Sequence, residues 1–348
     1  MTQTATAGPS SRAREFGKVA LVATMGIWPP LIAGRLILGP TAITMLLFGT
    51  LVGFLNTAAA GRRLGTAATI AFVLVAPVAL VAGQDPVAGT CLMALGCLAV
   101  GTSAYWQRFS AFNVGLTGTL FILASPAAQA DLLDGGPAQS EYLLAVLLGT
   151  LLCGLWPVAI LPLLNFVKDI PLEAHNEKAD TLRYVVSVTI LVSATTFYAL
   201  AFARDSNGLW LPLTLLMVLQ VAPDTTRHRA FQRVYGTIAG ALASAVLATV
   251  FHGTWVIAVV AVIAFFGLLA TMGHQPYSFY AFFLTVLVLL GVSATEPPLE
   301  ASMQRIVYTV IGCALALTAY LIERRLTADH TRAALNPGSV GSLALRRA

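Results

Sequence analysis

The sequence is poor in charged side chains. Only 10% of its 348 residues are Asp, Glu, Lys or Arg, whereas 57% are hydrophobic, and a soluble domain averages roughly 25% charged residues. So few charges cannot cover a surface that faces water. The composition therefore excludes an ordinary soluble protein and predicts a chain that is largely embedded in a membrane.

Motifs for catalysis, metal binding and nucleic-acid binding are also missing. The chain has no GxxxxGK[ST] loop, no HExxH helix and no CxxC pair, so we expect no enzymatic activity, cofactor or metal. The net charge of +5 is spread along the chain between apolar blocks, which excludes a nucleic-acid partner. The four cysteines lie inside apolar blocks as packing residues: Cys91, Cys97, Cys153 and Cys313.

Charge-free stretches divide the chain into segments long enough to cross a bilayer. A membrane helix needs roughly 20 apolar residues, and polar turns at His252 and at Gly273–Pro276 divide the longest stretch into three. We predict an all-α membrane protein with about twelve transmembrane helices in two parallel six-helix repeats. The charge-free stretches are 19–34, 36–61, 64–84, 86–107, 109–130, 142–167, 184–203, 206–223, 234–295 and 306–322.

The basic residues indicate the orientation. If the N-terminus is cytoplasmic, all but Arg35, Arg204 and Arg305 of the 20 Lys and Arg residues fall on the cytoplasmic side. A shift by one helix would destroy this separation, so the positive-inside rule favours both the helix count and cytoplasmic termini. Arg108 and Arg305 lie at predicted helix ends, where we expect their side chains to reach the interface.

A single offset aligns the two halves of the chain with each other, which predicts parallel repeats related by an axis near the membrane normal. Small residues at four-residue spacing, Gly236-Gly240-Ser244 and Gly49-Gly53, predict close helix packing. The aligned pairs include Arg62 with Arg233, Gly65 with Gly236, Thr66 with Thr237, Trp106 with Tyr277 and Phe109 with Tyr280.

The pattern divides the chain into five parts. We predict a disordered cytoplasmic start over 1–15, a first repeat over 16–167, a charged cytoplasmic linker over 168–183, a second repeat over 184–325 and a disordered cytoplasmic tail over 326–348.

The second half contains a distinctive segment between Trp210 and Gly240. One helix ends at the sequence QVAPD from Gln220, an arginine cluster follows, and the next helix opens with RVYGTIAG from Arg233. This order of elements resembles the fusaric acid resistance superfamily, which includes aromatic acid exporters of bacterial inner membranes and plant aluminium-activated malate transporters. The first half is similar to a degenerate copy that lacks the Pro-Asp element. The resemblance implies a plasma-membrane protein that exports small organic anions.

The candidate site residues are polar, basic and aromatic side chains within or beside the predicted spans. The cytoplasmic arginines would either orient the chain against lipid headgroups or form a basic mouth that gathers anions. The tyrosines would belong either to an interfacial aromatic belt or to a wall that stacks on a planar substrate. The candidates are Arg62, Arg63, Arg108, Asn113, Gln220, Asp224, Arg227, Arg229, Arg233, Tyr277 and Tyr280.

We therefore expect a multi-pass exporter of small organic anions, aromatic or other carboxylates, in a bacterial plasma membrane. Its partners would be the lipid bilayer, the anion and, in a homo-oligomer, further copies of the chain. Two alternatives stay open, a passive anion channel and a non-transporting membrane scaffold or cell-envelope assembly subunit. A path lined by Arg, Asn or aromatic residues would favour transport over the scaffold.

Overall fold

The computed structural model describes residues 9–39, 42–106, 109–123, 137–164, 178–204, 206–251, 255–271, 276–292 and 297–335. Within these ranges every regular element is helical. The first half contains α1 Pro9–Leu38, α2 Ile43–Ala82, α3 Pro86–Ser103, a 3₁₀ turn Ala104–Trp106, α4 Phe109–Leu123 and α5 Pro137–Leu163. The second half contains α6 Lys178–Phe202, α7 Trp210–Val218, α8 Pro223–Val250, α9 Trp255–Thr271, α10 Tyr277–Val292 and α11 Pro298–Leu335.

Helix α2 reverses direction at Gly61. This residue has φ 84° and ψ 177°, a backbone conformation that glycine adopts without a steric penalty. The two arms then lie side by side, because a Cβ on Gly118 of α4 would lie 2.8 Å from Phe72 of the second arm and 3.0 Å from Phe48 of the first. The reversal falls where the sequence places a cytoplasmic turn, just before Arg62.

Many of the helices suit a bilayer. Large apolar side chains are exposed on them, such as Leu36 at 81% and Trp255 at 76%, and an apolar surface of this kind matches lipid rather than water. The prediction of an all-α membrane protein is confirmed; the count of twelve spans stays a prediction. Among the described residues, seven segments are long and apolar enough to cross: Ala20–Leu38, Gly61–Ala82, Pro86–Ser103, Ser140–Leu163, Asp180–Phe202, Thr225–Val250 and Pro298–Arg325. The same ranges contain four shorter apolar helices, Met45–Ala58, Asn113–Leu123, Trp255–Leu268 and Tyr277–Leu290.

The predicted small-residue stripes form close helix contacts. A Cβ on Gly49 of α2 would lie 2.6 Å from Thr150 of α5, and one on Gly240 of α8 would lie 2.8 Å from the carbonyl oxygen of Phe282 in α10. Both helix pairs approach backbone to backbone, as small residues allow in membranes. The packing role of these stripes is therefore confirmed.

Helix α1 continues through Pro29 and Pro30 without ending. Pro29 lacks the N–H that would bond to the carbonyl of Met25. The indole Nε1 of Trp156 in α5 donates to this carbonyl instead, at 2.8 Å. A side chain of the neighbouring helix thus satisfies a backbone group that would otherwise be left without a partner in lipid.

The two terminal helices are longer than predicted. Helix α1 begins at Pro9, within the predicted disordered start, and α11 continues to Leu335, within the predicted disordered tail. Alanine and arginine, both good helix formers, are frequent in these extensions. The predicted linker lies mostly outside the described residues, and α6 begins inside it, at Lys178.

The halves contact each other through equivalent helices. Helix α3 packs against α6, with Gly101 against Val185, where an added Cβ would lie 3.0 Å from the valine side chain. Helix α1 packs against α9, with the ring centroids of Trp28 and Phe265 5.3 Å apart. The offset that aligns the two halves pairs α1 with α6 and α3 with α9. The contact of α1 with α9 is therefore the repeat equivalent of the contact of α6 with α3, and the two contacts are reciprocal.

Candidate functional site

Two arginines of the second half are completely buried. Arg233 on α8 and Arg305 on α11 each have 0% exposure and head the largest fully buried side chains among the described residues. The two helices that carry them, α8 and α11, pack against each other. Arginine is almost never fully buried without a partner, and ionisable residues inside a membrane usually mark functional sites.

The guanidinium of Arg305 stacks on an aromatic ring. Its Cζ lies 3.8 Å from the centroid of the Trp210 ring, at the start of α7. Nε, Nη1 and Nη2 of Arg305 are buried, and the described part of the protein offers none of them a hydrogen-bond acceptor. The face of the cation is covered while its N–H groups stay available.

Arg233 is held at one nitrogen only. Nη1 donates to the hydroxyl of Tyr277 at 3.3 Å, whereas Nε and Nη2 have no acceptor within the described ranges. Tyr277 stacks on Tyr280 with ring centroids 5.5 Å apart and has the guanidinium of Arg229 over its ring at 5.4 Å. The predicted residues Arg229, Arg233, Tyr277 and Tyr280 thus form one cluster.

A side chain of α8 fixes the start of α10 beside this cluster. The Oε1 atom of Gln232 accepts a hydrogen bond from the backbone N–H of Tyr277 at 2.9 Å. Its Nε2 atom lies 2.8 Å from Nε2 of His228. The tyrosine that bonds to Arg233 is therefore positioned from α8 through its own backbone.

The cluster contains donors but no acidic partner. Among the described residues, neither Arg233 nor Arg305 pairs with a carboxylate, and the ion pair present is Arg183 with Asp180 on α6. A buried charge is costly unless it is paired. Carboxylates and phosphates bind guanidinium groups through charge-assisted hydrogen bonds. The chemistry of the cluster therefore suits an anion.

Three buried threonines add hydroxyl groups on α8, α10 and α11. Thr237 and Thr309 lie one helical turn after Arg233 and Arg305, on the same helix faces. Thr285 of α10 packs against Gly240 of α8. None of these three hydroxyls has a hydrogen-bond partner in the described part of the chain. Other buried threonines, such as Thr50, bond to a carbonyl of their own helix.

The remaining predicted site residues lie elsewhere. Arg62, Arg63 and Arg227 are exposed. Gln220 donates from its backbone N–H to Thr226 Oγ1 at 3.0 Å, so it stabilises the turn between α7 and α8. Asn113 of α4 donates to the carbonyl of Leu216 at 3.2 Å and connects the first half to α7. Arg108 and the side chain of Asp224 lie outside the described part.

Two sequence interpretations need correction. Arg305 does not reach an interface, because its side chain is buried against Trp210. Arg233 does not lie at a solvated mouth, although its repeat partner Arg62 is exposed. The sequence does contain a signal for Arg305, since this arginine directly precedes the charge-free stretch 306–322 and ionisable residues of membrane helices often mark functional positions.

Comparison with known proteins confirms the resemblance. Residues 188–319 match the family model "Fusaric acid resistance protein-like", and this range contains Trp210, Arg233, Tyr277 and Arg305. The chain is 34% identical over 116 residues to the inner membrane protein YccS of Escherichia coli (strain K12), a match that covers 32% of this chain and 16% of that protein.

A second relative matches over a longer segment. The uncharacterized protein ORF2 of Neisseria gonorrhoeae is 30% identical over 150 residues, which cover 41% of this chain and 34% of that protein. The matches thus span about a third or less of the relatives' own length. No solved structure matches the chain.

Proposed function

We propose that this chain, whose second half is a fusaric acid resistance protein-like domain, transports small organic anions through a site built on Arg233 and Arg305. The observation that carries the proposal is the burial of two guanidinium groups without a carboxylate partner in the described residues. A non-transporting scaffold gains nothing from such a costly arrangement. No catalytic step is part of the proposal.

The aromatic side chains beside Arg233 support carboxylates, including aromatic carboxylates, as the substrate class. Tyr277 and Tyr280 present stacked rings beside Arg233, and rings of this kind can pack against a planar organic anion. The family resemblance supplies the outward direction. The similarity to an inner membrane protein supports a bacterial plasma membrane as the location.

We also propose the full arrangement of twelve spans in two parallel repeats, with both termini in the cytoplasm. In this arrangement the reversal at Gly61 would divide α2 into two spans. The reciprocal contacts of α3 with α6 and of α1 with α9 are what an axis along the membrane normal would produce. The arginines after Gly61 and at the start of α8 would then lie on the cytoplasmic side.

The direct test is anion uptake by the purified protein in proteoliposomes, with benzoate, 4-hydroxybenzoate and succinate as probes. We expect at least one probe to enter faster than into protein-free liposomes. Arg305→Gln should reduce its initial rate about tenfold or more, since a hydrogen bond to a charged group contributes about 1.5–3 kcal/mol. Arg63→Gln, at an exposed arginine, is the matched control and should transport normally.

Two results would contradict the proposal. If every probe enters at the protein-free rate, the protein does not transport these anions. If the Arg305→Gln variant is as active as wild type, Arg305 is not part of the transport site. The same assay separates a carrier from the alternative, a passive anion channel. Unlabelled anion inside the vesicles accelerates the uptake of labelled anion by a carrier, because its outward transport returns the binding site to the outer face. It does not accelerate flux through a channel.

A further inference from the structure

The buried guanidinium of Arg305 receives no hydrogen-bond acceptor from the described residues. An arginine side chain carries about 2 kcal/mol of rotamer entropy, so a guanidinium without hydrogen bonds does not stay in one place by itself. In the described residues, Nε, Nη1 and Nη2 of Arg305 have no partner. The contact that does fix the group is the ring of Trp210, 3.8 Å from Cζ.

A ring and a carboxylate would hold this cation in different ways. A carboxylate accepts hydrogen bonds along the edge of the guanidinium and neutralises its charge. An aromatic ring attracts the cation through its face and accepts none of its five N–H groups. Trp210 therefore restrains Arg305 while the charge and every N–H remain available to a second ligand.

Trp210 is itself fixed from both halves of the protein. Phe121 of α4 meets its ring edge to face, with centroids 5.8 Å apart, and Phe48 of α2 supports Phe121 at 5.0 Å. On the other side, Gly312 lets α7 approach α11, because a Cβ there would lie 2.9 Å from Thr214. The backbone that carries Trp210 is thus close to the helix that carries Arg305.

We propose that Trp210 is a positioning residue of the anion site: its indole face holds the Arg305 guanidinium so that the N–H groups at its edge stay available to donate to the bound anion. This inference rests on the proposed function. It assigns the first half a role as well, because Phe121 supports the ring although the arginines all come from the second half. Loss of the ring should weaken anion binding more than it slows the transport cycle.

The test compares Trp210→Leu and Trp210→Phe in proteoliposomes at matched protein content. Initial uptake is measured against concentration for whichever of benzoate and succinate the wild type transports. We expect KM to rise about tenfold in the leucine variant, a change of about 1.4 kcal/mol, with a smaller change in maximal rate. Phenylalanine keeps a ring face and should restore KM to within about threefold of wild type. Trp255→Leu, at a 76% exposed tryptophan, is the matched control.

A merely structural tryptophan would behave differently. Its replacement by leucine would lower the amount of folded protein and the maximal rate, and KM would stay at the wild-type value. That result, in a wild type that transports, overturns the positioning role and leaves the proposed function intact.

Tryptophan fluorescence in detergent supplies a readout without transport. We expect benzoate or succinate to change the emission of wild type and Trp255→Leu, and neither to change that of Trp210→Phe or Arg305→Gln. If the leucine variant fails to fold, a wild-type response that is lost in Arg305→Gln still supports anion binding beside Trp210, and the absence of any wild-type response would overturn the positioning role. A response without uptake would contradict transport and support the anion site, whereas the absence of both would overturn the two proposals together.

Discussion

At the residue scale, burial distinguishes the arginines of this protein from one another. Arg227 and Arg63 are exposed, and in the proposed orientation their charge would satisfy the positive-inside rule. Arg233 and Arg305 are buried, where orientation of the chain gives no reason for them to be. A guanidinium differs from an ammonium in that its planar fork donates two parallel hydrogen bonds to one carboxylate. Substitutions at the two buried arginines can therefore test the role of the charge separately from the role of the hydrogen-bonding geometry.

Replacement of Arg233 by lysine should weaken transport without disturbing insertion. Lysine keeps the charge but loses the fork, so we expect KM for the transported carboxylate to rise several-fold in Arg233→Lys. Arg233→Gln loses both properties and should be impaired further, by roughly the 1.5–3 kcal/mol of a charged hydrogen bond. The measurement is initial flux at matched membrane abundance.

The control for this pair is Arg227→Lys and Arg227→Gln, at an exposed position of the same helix. Both should transport at the wild-type rate. If Arg233→Lys and Arg233→Gln are also indistinguishable from wild type, Arg233 has a packing role and does not bind the anion.

At the element scale, the sequence predicts helices and their close contacts better than it predicts the site. Glycine spacing locates the contact at Gly240, and the arginines after Gly61 indicate the reversal there, because both signals are local. The stacking of Arg305 on Trp210 joins residues far apart in sequence, and no periodicity encodes it. The sequence predicts an interfacial Arg305 because it shows the end of a helix but not which helix packs beside it.

The contact between α8 and α10 should not tolerate a large side chain. In Gly240→Leu the new Cβ would lie 2.8 Å from the carbonyl oxygen of Phe282 and 2.9 Å from Cβ of Thr285, so the helices must separate. We expect a lower melting temperature in detergent and loss of the monodisperse peak in gel filtration. Ala239→Leu, at the exposed neighbouring position, should keep both properties; equal stability of the two variants would show that α8 and α10 are not in contact there.

The proline pair in α1 leads to a second stability prediction. Trp156→Phe removes the indole N–H that donates to Met25 and keeps most of the apolar side chain. A backbone carbonyl left without a partner in an apolar environment is costly, so the melting temperature should fall measurably. Trp255→Phe, on the exposed surface, serves as the reference. A Trp156→Phe variant as stable as this reference would mean that the Met25 carbonyl has another donor.

At the scale of the whole molecule, the two halves contribute unequally. The repeat alignment pairs exposed Arg62 with buried Arg233, so the first half lacks the buried cation at the equivalent place. It contributes Phe121 and Asn113 instead, which contact Trp210 and the carbonyl of Leu216 in α7. The family match over residues 188–319 falls on the half that holds the arginines. This division is consistent with the proposed site, built on the second half and supported by residues of the first.

Accessibility from the two sides of the membrane tests the twelve-span arrangement. In that arrangement Gln84 and Glu300 lie outside, whereas Arg63 and Arg227 lie in the cytoplasm, and all four side chains are exposed. Each is replaced by cysteine in a variant without the four native cysteines. In intact cells an impermeant thiol reagent should label Gln84→Cys and Glu300→Cys, and it should label Arg63→Cys and Arg227→Cys only after the membrane is permeabilised.

The four positions test the arrangement in separate parts. Gln84 and Arg63 lie at opposite ends of the second arm of α2, so their labelling decides whether the chain crosses after Gly61. Arg227 and Glu300 lie near the starts of α8 and α11, with three proposed spans from α8 to α10 between them. An odd number of crossings places the two residues on opposite sides. Labelling of both from outside would require an even number, and one of the short helices α9 and α10 would then not cross the bilayer.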